Sequence, residues 1–356
     1  MAMKVLVVDD SALMRKHLNQ VFAEAGFEVL VARNGSEAVD LVLAHEPDVI
    51  TLDVNMPEMD GLTALSLIMA ARPTPVVMVS SLTTKGATAT LEALAMGAVD
   101  YVAKPGGTIS LSIDSIAEEL IEKVKVAARA RIRPSGARLQ HRMREDRERI
   151  RQDSTRRQLP CSSKNGEFGL VLIGVSTGGP RTLEDILPQL PADFPWPVLV
   201  AQHMPAAFTP TLASRLDGMC SLRVREVAQP EVVEPGNVFL ARGGTDMVVA
   251  RRDGRLMAMP KPESASHLWH PSVTVLVESA LAHLPAERLI AVQLTGMGYD
   301  GADAMARLHA SGGRTIAESE ASAVVFGMPK ELIERGGATV VLRAPEIAGQ
   351  LARWLM

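Results

Sequence analysis

Val5-Leu6-Val7-Val8-Asp9-Asp10 opens the chain with an apolar run that ends abruptly in two acids. Branched aliphatic residues followed at once by carboxylates read as a short buried strand whose carboxyl end is polar. The pattern recurs. Val49–Leu52 is followed by Asp53, Val76–Val79 by Ser80, and Val99–Val102 by Ala103-Lys104-Pro105. With Glu28–Val31 there are five such runs, and helical patterns lie between and after them at Ala12–Ala25, Ser36–Ala44, Leu62–Ala71, Gly86–Met96 and Ile113–Ala128. Five strand–helix units in succession predict a parallel sheet covered on both faces. Right-handed crossovers then favour a flavodoxin-like, doubly wound (βα)5 domain over residues 1–128.

In such a sheet the carboxyl ends of the strands share one rim, where ligands collect. Asp9, Asp10, Asp53, Ser80 and Lys104 therefore converge. Three clustered carboxylates repel unless a cation joins them, and hard oxygen donors beside open water positions suit Mg²⁺, held by Asp9, Asp10 and Asp53. Asp53 is then a nucleophile toward a phosphoryl donor. Lys104 neutralises charge on the phosphoryl oxygens, and the Ser80 hydroxyl donates to them. Any one of these residues alone is an ordinary solvated loop residue. Five chemically coherent positions at the right strand ends are not.

Val7-Val8-Asp9-Asp10-Ser11, Leu52-Asp53-Val54-Asn55-Met56-Pro57-Glu58-Met59-Asp60-Gly61 and Lys104-Pro105 resemble a two-component response-regulator receiver domain over about residues 3–126. The resemblance implies phosphorylation of Asp53 by a histidine kinase, with Mg²⁺ on Asp10 and Asp9.

The rest of the chain divides by charge. Residues 1–126 carry 9 Lys and Arg against 17 Asp and Glu, residues 127–168 carry 12 against 5, and residues 169–356 carry 16 against 19. The middle stretch, 129–168, is a basic linker: Pro134-Ser135-Gly136 breaks any helix, and Arg142–Arg157 reads as a solvated helix at most. No run approaches 18 apolar residues, which argues against membrane insertion. Only Cys161 and Cys220 occur, and the first residues run directly into a strand, so a cytoplasmic location is expected.

From Gly169 a second α/β series begins, spanning residues 169–356. Leu170–Val175, Val198–Gln202 and Leu289–Thr295 read as strands of a mostly parallel, doubly wound sheet. Helical patterns near Pro180–Pro188, Phe208–Leu216, Ser272–Leu284, Ala302–Ser311 and Pro329–Gly336 accompany them. Val238–Leu240, Asp246–Arg251 and Arg255–Ala258, with an Asp253-Gly254 turn, predict an antiparallel insertion. Gly174-Val175-Ser176-Thr177-Gly178 then fits a nucleophile elbow between strand and helix. His203 follows the next strand and can take the Ser176 proton, while Asp300, after Leu289–Thr295, can fix its tautomer. The Met297 N–H in Gly296-Met297-Gly298 is the candidate oxyanion donor. The order Ser, Asp, His of an α/β-hydrolase would instead use Asp246 with His270 or His283. The first assignment uses three strand ends and needs fewer coincidences.

With Gln202-His203-Met204-Pro205 and Leu294-Thr295-Gly296-Met297-Gly298-Tyr299-Asp300-Gly301, this half resembles the catalytic domain of chemotaxis protein-glutamate methylesterases. The resemblance implies a phosphorylation-regulated serine hydrolase that removes methyl groups from glutamyl esters of methyl-accepting chemoreceptors and deamidates receptor glutamines, using Ser176, His203 and Asp300. It also implies that the unphosphorylated receiver covers the cleft. Ester hydrolysis of this kind needs no cofactor. Trp269-His270-Pro271-Ser272-Val273 resembles another stretch near that cleft, without a catalytic role; a metal pair of His267 and His270 lacks further ligands. The net-acidic second half, with no helix-turn-helix pattern, opposes a nucleic-acid-binding output. A docking platform without catalysis is the remaining rival.

Overall fold

The computed structural model describes residues 2–81, 83–104, 114–130 and 168–356. Pro105, the start of the helix expected from Ile113 and the Arg142–Arg157 stretch lie outside them. The chain falls into two compact units, Met1–Glu145 and Asp146–Met356.

In the first unit the strands are β1 (Lys4–Val8), β2 (Glu28–Ala32), β3 (Val49–Asp53), β4 (Val76–Ser81) and β5 (Asp100–Lys104). They pair in the order β2-β1-β3-β4-β5, all parallel. Val5–Val8, Ile50, Leu52 and Val76–Val79 are buried, as strands covered on both faces require. The helices are α1 (Ala12–Glu24), α2 (Gly35–His45), α3 (Gly61–Ala71), α4 (Thr84–Met96) and α5 (Asp114–Ala127). Ser11, Asn34, Asp60 and Thr83 cap the first four by accepting from Met14, Glu37, Thr63 and Gly86 N–H groups. Those polar caps stop each strand–helix loop close to the sheet and so build the rim.

The second unit carries β6 (Leu170–Val175), β7 (Val198–Gln202), β8 (Arg223–Val227), β9 (Glu231–Val232), β10 (Asn237–Ala241), β11 (Thr245–Arg252), β12 (Arg255–Pro262), β13 (Leu289–Gln293), β14 (Arg314–Glu318) and β15 (Val340–Leu342). Seven of them form a parallel sheet in the order β15-β14-β13-β6-β7-β10-β8. One expectation is corrected here. Val238–Leu240 belongs to β10 inside the parallel sheet, between β7 and β8, and not to the antiparallel insertion. Its side chains are fully or almost fully buried on both faces, which an insertion strand facing solvent would not allow. The antiparallel sheet is β11-β12-β9, and Asp253 (φ 48°) and Gly254 (φ 75°) form its tight turn. Helices α6 (Gly179–Ile186), α7 (Thr209–Met219), α8 (Val273–Leu281), α9 (Ala302–Ala310), α10 (Met328–Glu334) and α11 (Ala344–Leu355) flank the sheets. Val273, Leu276, Val277 and Ala280 of α8 are buried in the core with Leu170, Leu172 and Met247.

The winding reverses between β1 and β3 in the first parallel sheet and between β6 and β13 in the second, where the chain also doubles back from β8 to β10. Crevices open at such points. Beside the first, a methyl group on Gly61 would fall 2.0 Å from the Asp53 carbonyl oxygen and 3.0 Å from the Val54 Cα. Backbone cannot yield as a side-chain tip does. Gly61→Ala should therefore destabilise the first unit by about 1–3 kcal/mol, seen as faster amide exchange in β1 and β3. All three tryptophans, Trp196, Trp269 and Trp354, lie in the second unit, so its fluorescence-detected unfolding should stay unchanged.

Candidate active site

At the first reversal, β1 delivers Asp9 and Asp10 and β3 delivers Asp53. One carboxylate oxygen from each lies within 4.8 Å of the others. Asp9 and Asp53 are buried, whereas Asp10 is exposed. Lys104, at the end of β5, bridges the buried pair, 2.8 Å from Asp9 and 2.7 Å from Asp53. Burial raises the Asp53 carboxyl above its ordinary range, against the opposing pull of Lys104. Burial also opposes charge on Lys104, but the two carboxylates outweigh it and hold the ammonium above its usual value. The donor set suits a small divalent cation: carboxylate oxygens within coordinating reach of one another, one of them open to water. Ser80 is fully buried and its hydroxyl donates to the Gly86 carbonyl at 3.3 Å. β4 runs one residue past it, to Ser81.

At the second reversal, β6, β7 and β13 deliver the other candidates. Val175 pairs with Gln202 across neighbouring parallel strands, so Ser176 and His203 leave the sheet side by side. The His203 N–H donates to the Val175 carbonyl. The chain turns sharply after Ser176: Gly179 N–H donates back to the Ser176 carbonyl at 2.8 Å, and Gly178 takes φ 76°. Gln202 and Thr295 fix that turn. The Gln202 amide donates to the Ser176 and His203 carbonyls, and the Thr295 carbonyl accepts the Ser176 N–H at 2.9 Å. Gly296 lies directly against the serine, since a methyl group there would fall 2.6 Å from the Ser176 Cβ. Met297, the next residue, is half-buried beside it.

His203 Nε2 donates to Asp300 Oδ2 at 2.9 Å. The neutral ring then has its lone pair on Nδ1, which is buried and has no hydrogen-bond partner. A Ser176–His203 hydrogen bond is thus not formed in this structure, and the nitrogen facing the carboxylate is the reverse of the serine-protease pattern. Asp300 is 5% exposed. Besides His203 it accepts Val273 N–H at 2.7 Å, Thr274 N–H at 3.0 Å, the Thr274 hydroxyl at 2.6 Å and the Ser272 hydroxyl at 3.1 Å. Burial alone would raise this carboxyl; the hydrogen bonds from His203, Thr274 and Val273 overcome it and hold the value at about 2. Ser272, Val273 and Thr274 among those donors form the N-terminus of α8, where the helix dipole also favours an anion.

A family model described as CheB methylesterase matches residues 171–351, and one described as response regulator receiver domain matches residues 5–113. The chain belongs to the CheB methylesterase family. It is 57% identical over 357 residues to a Rhodospirillum rubrum protein named protein-glutamate methylesterase/protein-glutamine glutaminase 3, covering 99% of this chain and 96% of that one. A Rhodopseudomonas palustris protein named protein-glutamate methylesterase/protein-glutamine glutaminase 2 is 52% identical, with 99% and 98% covered. The crystal structure of the Thermotoga maritima CheB methylesterase catalytic domain is similar at TM-score 0.51 and 39% identity, covering 53% of this chain and 99% of that one.

The alternative pair, Asp246 and His270, does meet, at 2.9 Å, but its contacts run to Ser272 and His267 rather than to the serine turn. His283 ends as a turn residue after α8. The stretch Trp269–Thr274 supplies what the strand-end rule does not find. Trp269 stacks on the His203 ring, with centroids 5.8 Å apart and planes 2° from parallel, and Ser272, Val273 and Thr274 cradle Asp300. The depressed Asp300 value contributes stability that is present above its unfolded value near pH 3.8 and lost as pH falls toward 2. Tryptophan-monitored urea unfolding should lose about 2 kcal/mol more across that window in the wild type than in Asp300→Asn.

Proposed function

We propose that the second unit hydrolyses glutamyl methyl esters of chemoreceptors through an acyl-Ser176 intermediate, and that phosphorylation of Asp53 regulates it. One observation carries the reading: a half-buried serine on a strand-end turn lies beside a histidine whose other nitrogen is held by a deeply buried, anionic Asp300. Family membership and the names of close relatives agree with it.

In the first step His203 Nδ1 takes the Ser176 proton as Oγ attacks the ester carbonyl. The oxyanion receives the Met297 N–H, a donor typically worth roughly 3–4 kcal/mol. His203 returns its proton to the departing methoxide, giving methanol. Water then attacks the acyl-serine, His203 takes and returns a proton as before, and glutamate and free Ser176 result. A glutamine substrate follows the same route with ammonia as the leaving group. Asp300 stays ionised throughout and stabilises the imidazolium. No cofactor enters this sequence.

In the first unit an Asp53 carboxylate oxygen attacks the phosphorus of a phosphohistidine on a histidine kinase, the P–N bond breaks and the kinase imidazole leaves. Asp9, Asp10 and Asp53 would hold Mg²⁺, which neutralises phosphoryl oxygens when bound. Lys104 stays within reach of Asp53 and balances the added charge, and the Ser80 hydroxyl exchanges the Gly86 carbonyl for a phosphoryl oxygen. Residues 1–128 and 169–356 are the two working domains and 129–168 the linker. No helix among the described residues is long and apolar enough to cross a membrane, and we place the reaction in the cytoplasm.

Methanol release from methylated receptor tests both halves. Ser176→Ala should lower the rate by about a thousandfold or more. Asp53→Ala should lose the gain that a small phosphodonor gives the wild type. Unchanged turnover in Ser176→Ala ends the serine reading, and a retained phosphodonor response in Asp53→Ala ends the regulatory one.

A further inference from the structure

His270 sits between the two supports of the catalytic couple, one residue after Trp269 and two before Ser272. Its Nδ1 lies 2.9 Å from Asp246 Oδ1, and its Nε2 lies 3.2 Å from the His267 carbonyl oxygen. A carboxylate and a carbonyl only accept, so an imidazole serving both carries a proton on each nitrogen. His270 is therefore an imidazolium. Asp246 is 1% exposed. Its Oδ1 also accepts the Ser272 N–H at 2.7 Å, while its Oδ2 is buried with no hydrogen-bond partner. A carboxylate this poorly supplied with neutral donors is tolerable in the interior only beside a cation. His270 supplies that cation.

We propose that the His270–Asp246 ion pair is a positioning pair for the Asp300–His203 couple, and that loss of the His270 proton slows the Ser176 reaction. The inference rests on the roles given above to Ser176, His203 and Asp300. Its links are His270 to Asp246, Asp246 to the Ser272 N–H, the Ser272 hydroxyl to Asp300 Oδ1 at 3.1 Å, and Asp300 Oδ2 to His203 Nε2 at 2.9 Å. When the first link loses its charge, Asp246 is left buried beside a neutral ring, without a counter-charge, and the carboxylate then draws in water or turns away. Either movement frees the Ser272 N–H. Ser272 also caps α8 through Val275 N–H, so its displacement disturbs the whole N-terminus that cradles Asp300. On the other side, the chain that anchors His270 carries Trp269, whose ring backs His203.

The groups facing His270 set the sign of the pH effect. Burial opposes its charge, but Asp246, the His267 carbonyl and Glu263 outweigh it, and the value is raised above the ordinary 6.5. The pair is therefore present below that raised value and is lost as pH climbs through it. His203 must be neutral to accept the serine proton. Loss of the His270 proton therefore acts on the alkaline limb of the profile.

A fluorophosphonate probe reacting at Ser176 in the full-length chain reads this without a receptor substrate. Between about pH 6 and about pH 9.5, the wild-type maximal labelling rate should fall on the alkaline side. His270→Arg places a cation that does not titrate, so it should keep the neutral-pH rate within about threefold and lose the alkaline fall. His270→Gln should lower the maximal rate about tenfold or more with little change in half-saturating probe concentration. Wild-type behaviour in His270→Gln, with the same alkaline fall, overturns the proposal. So does a wild-type rate that stays flat to the highest pH. If tryptophan fluorescence shows His270→Gln unfolded, the His270→Arg profile decides, and a persisting alkaline fall there counts against the pair. Labelling that survives in Ser176→Ala would instead overturn the serine assignment itself.

Discussion

An ionised carboxylate with almost no solvent contact survives only if its lone pairs are filled by donors held in place beforehand. Asp300 meets that condition with two backbone N–H groups, two hydroxyls and the His203 ring, drawn from one helix N-terminus and one neighbouring strand end. Everything else about the site follows from it. The donors work only if α8 starts beside the carboxyl end of β13. That placement needs Gly301 in a left-handed turn, since a methyl there would fall 2.4 Å from Val273 Cγ1. With Asp300 anchored, His203 has one nitrogen committed and one left free. In the proposed reaction Asp300 thus acts on Ser176 only through His203.

The first unit meets the same electrostatic problem differently. Asp9 and Asp53 are buried side by side, and a single flexible ammonium, Lys104, stands between them. A lysine on a long stem is a movable point charge, whereas helix N–H groups are fixed dipoles. A movable charge suits a pocket whose own charge changes when a phosphoryl group arrives and leaves. A fixed cradle suits a carboxylate that stays ionised throughout, as Asp300 does in the proposed reaction. Gly61 lets the start of α3 approach the Asp53 backbone closely.

The parts of this arrangement that were legible in the sequence are those carried by strand ends. Branched runs ending at or next to Asp9, Asp53, Lys104, Ser176 and His203, with Asp300 in the loop after β13, announce both position and chemistry, because a parallel sheet aligns its carboxyl ends whatever the loops do. β10 was misread because Val238-Phe239-Leu240 lies just before a true hairpin, and local pattern cannot say which sheet a strand joins. Arg223–Val227 alternates charged and apolar residues and Val340–Leu342 is only three residues long, so neither has the continuous apolar run of a buried strand. They are edge strands of the sheet.

The resemblance placed Trp269–Val273 near the cleft, but the contacts of these supporting residues were illegible for a different reason. Ser272, Val273 and Thr274 act through backbone N–H groups and small hydroxyls at a helix start, a composition shared by most helix starts. Nothing in Ser-Val-Thr says that the acceptor is a carboxylate 26 residues onward. Trp269 and His270 stand out as residue types, yet their partners, His203 and Asp246, come from different sheets. Both reach those partners from the one segment that joins β12 to α8. The insertion is therefore more than an ornament on the fold. β11 carries Asp246 into the interior at the point where α8 begins, and the charge it brings has to be answered there. The answering group, His270, comes from the segment that links the insertion back to the sheet, so the insertion and the catalytic couple are locked by the same few hydrogen bonds.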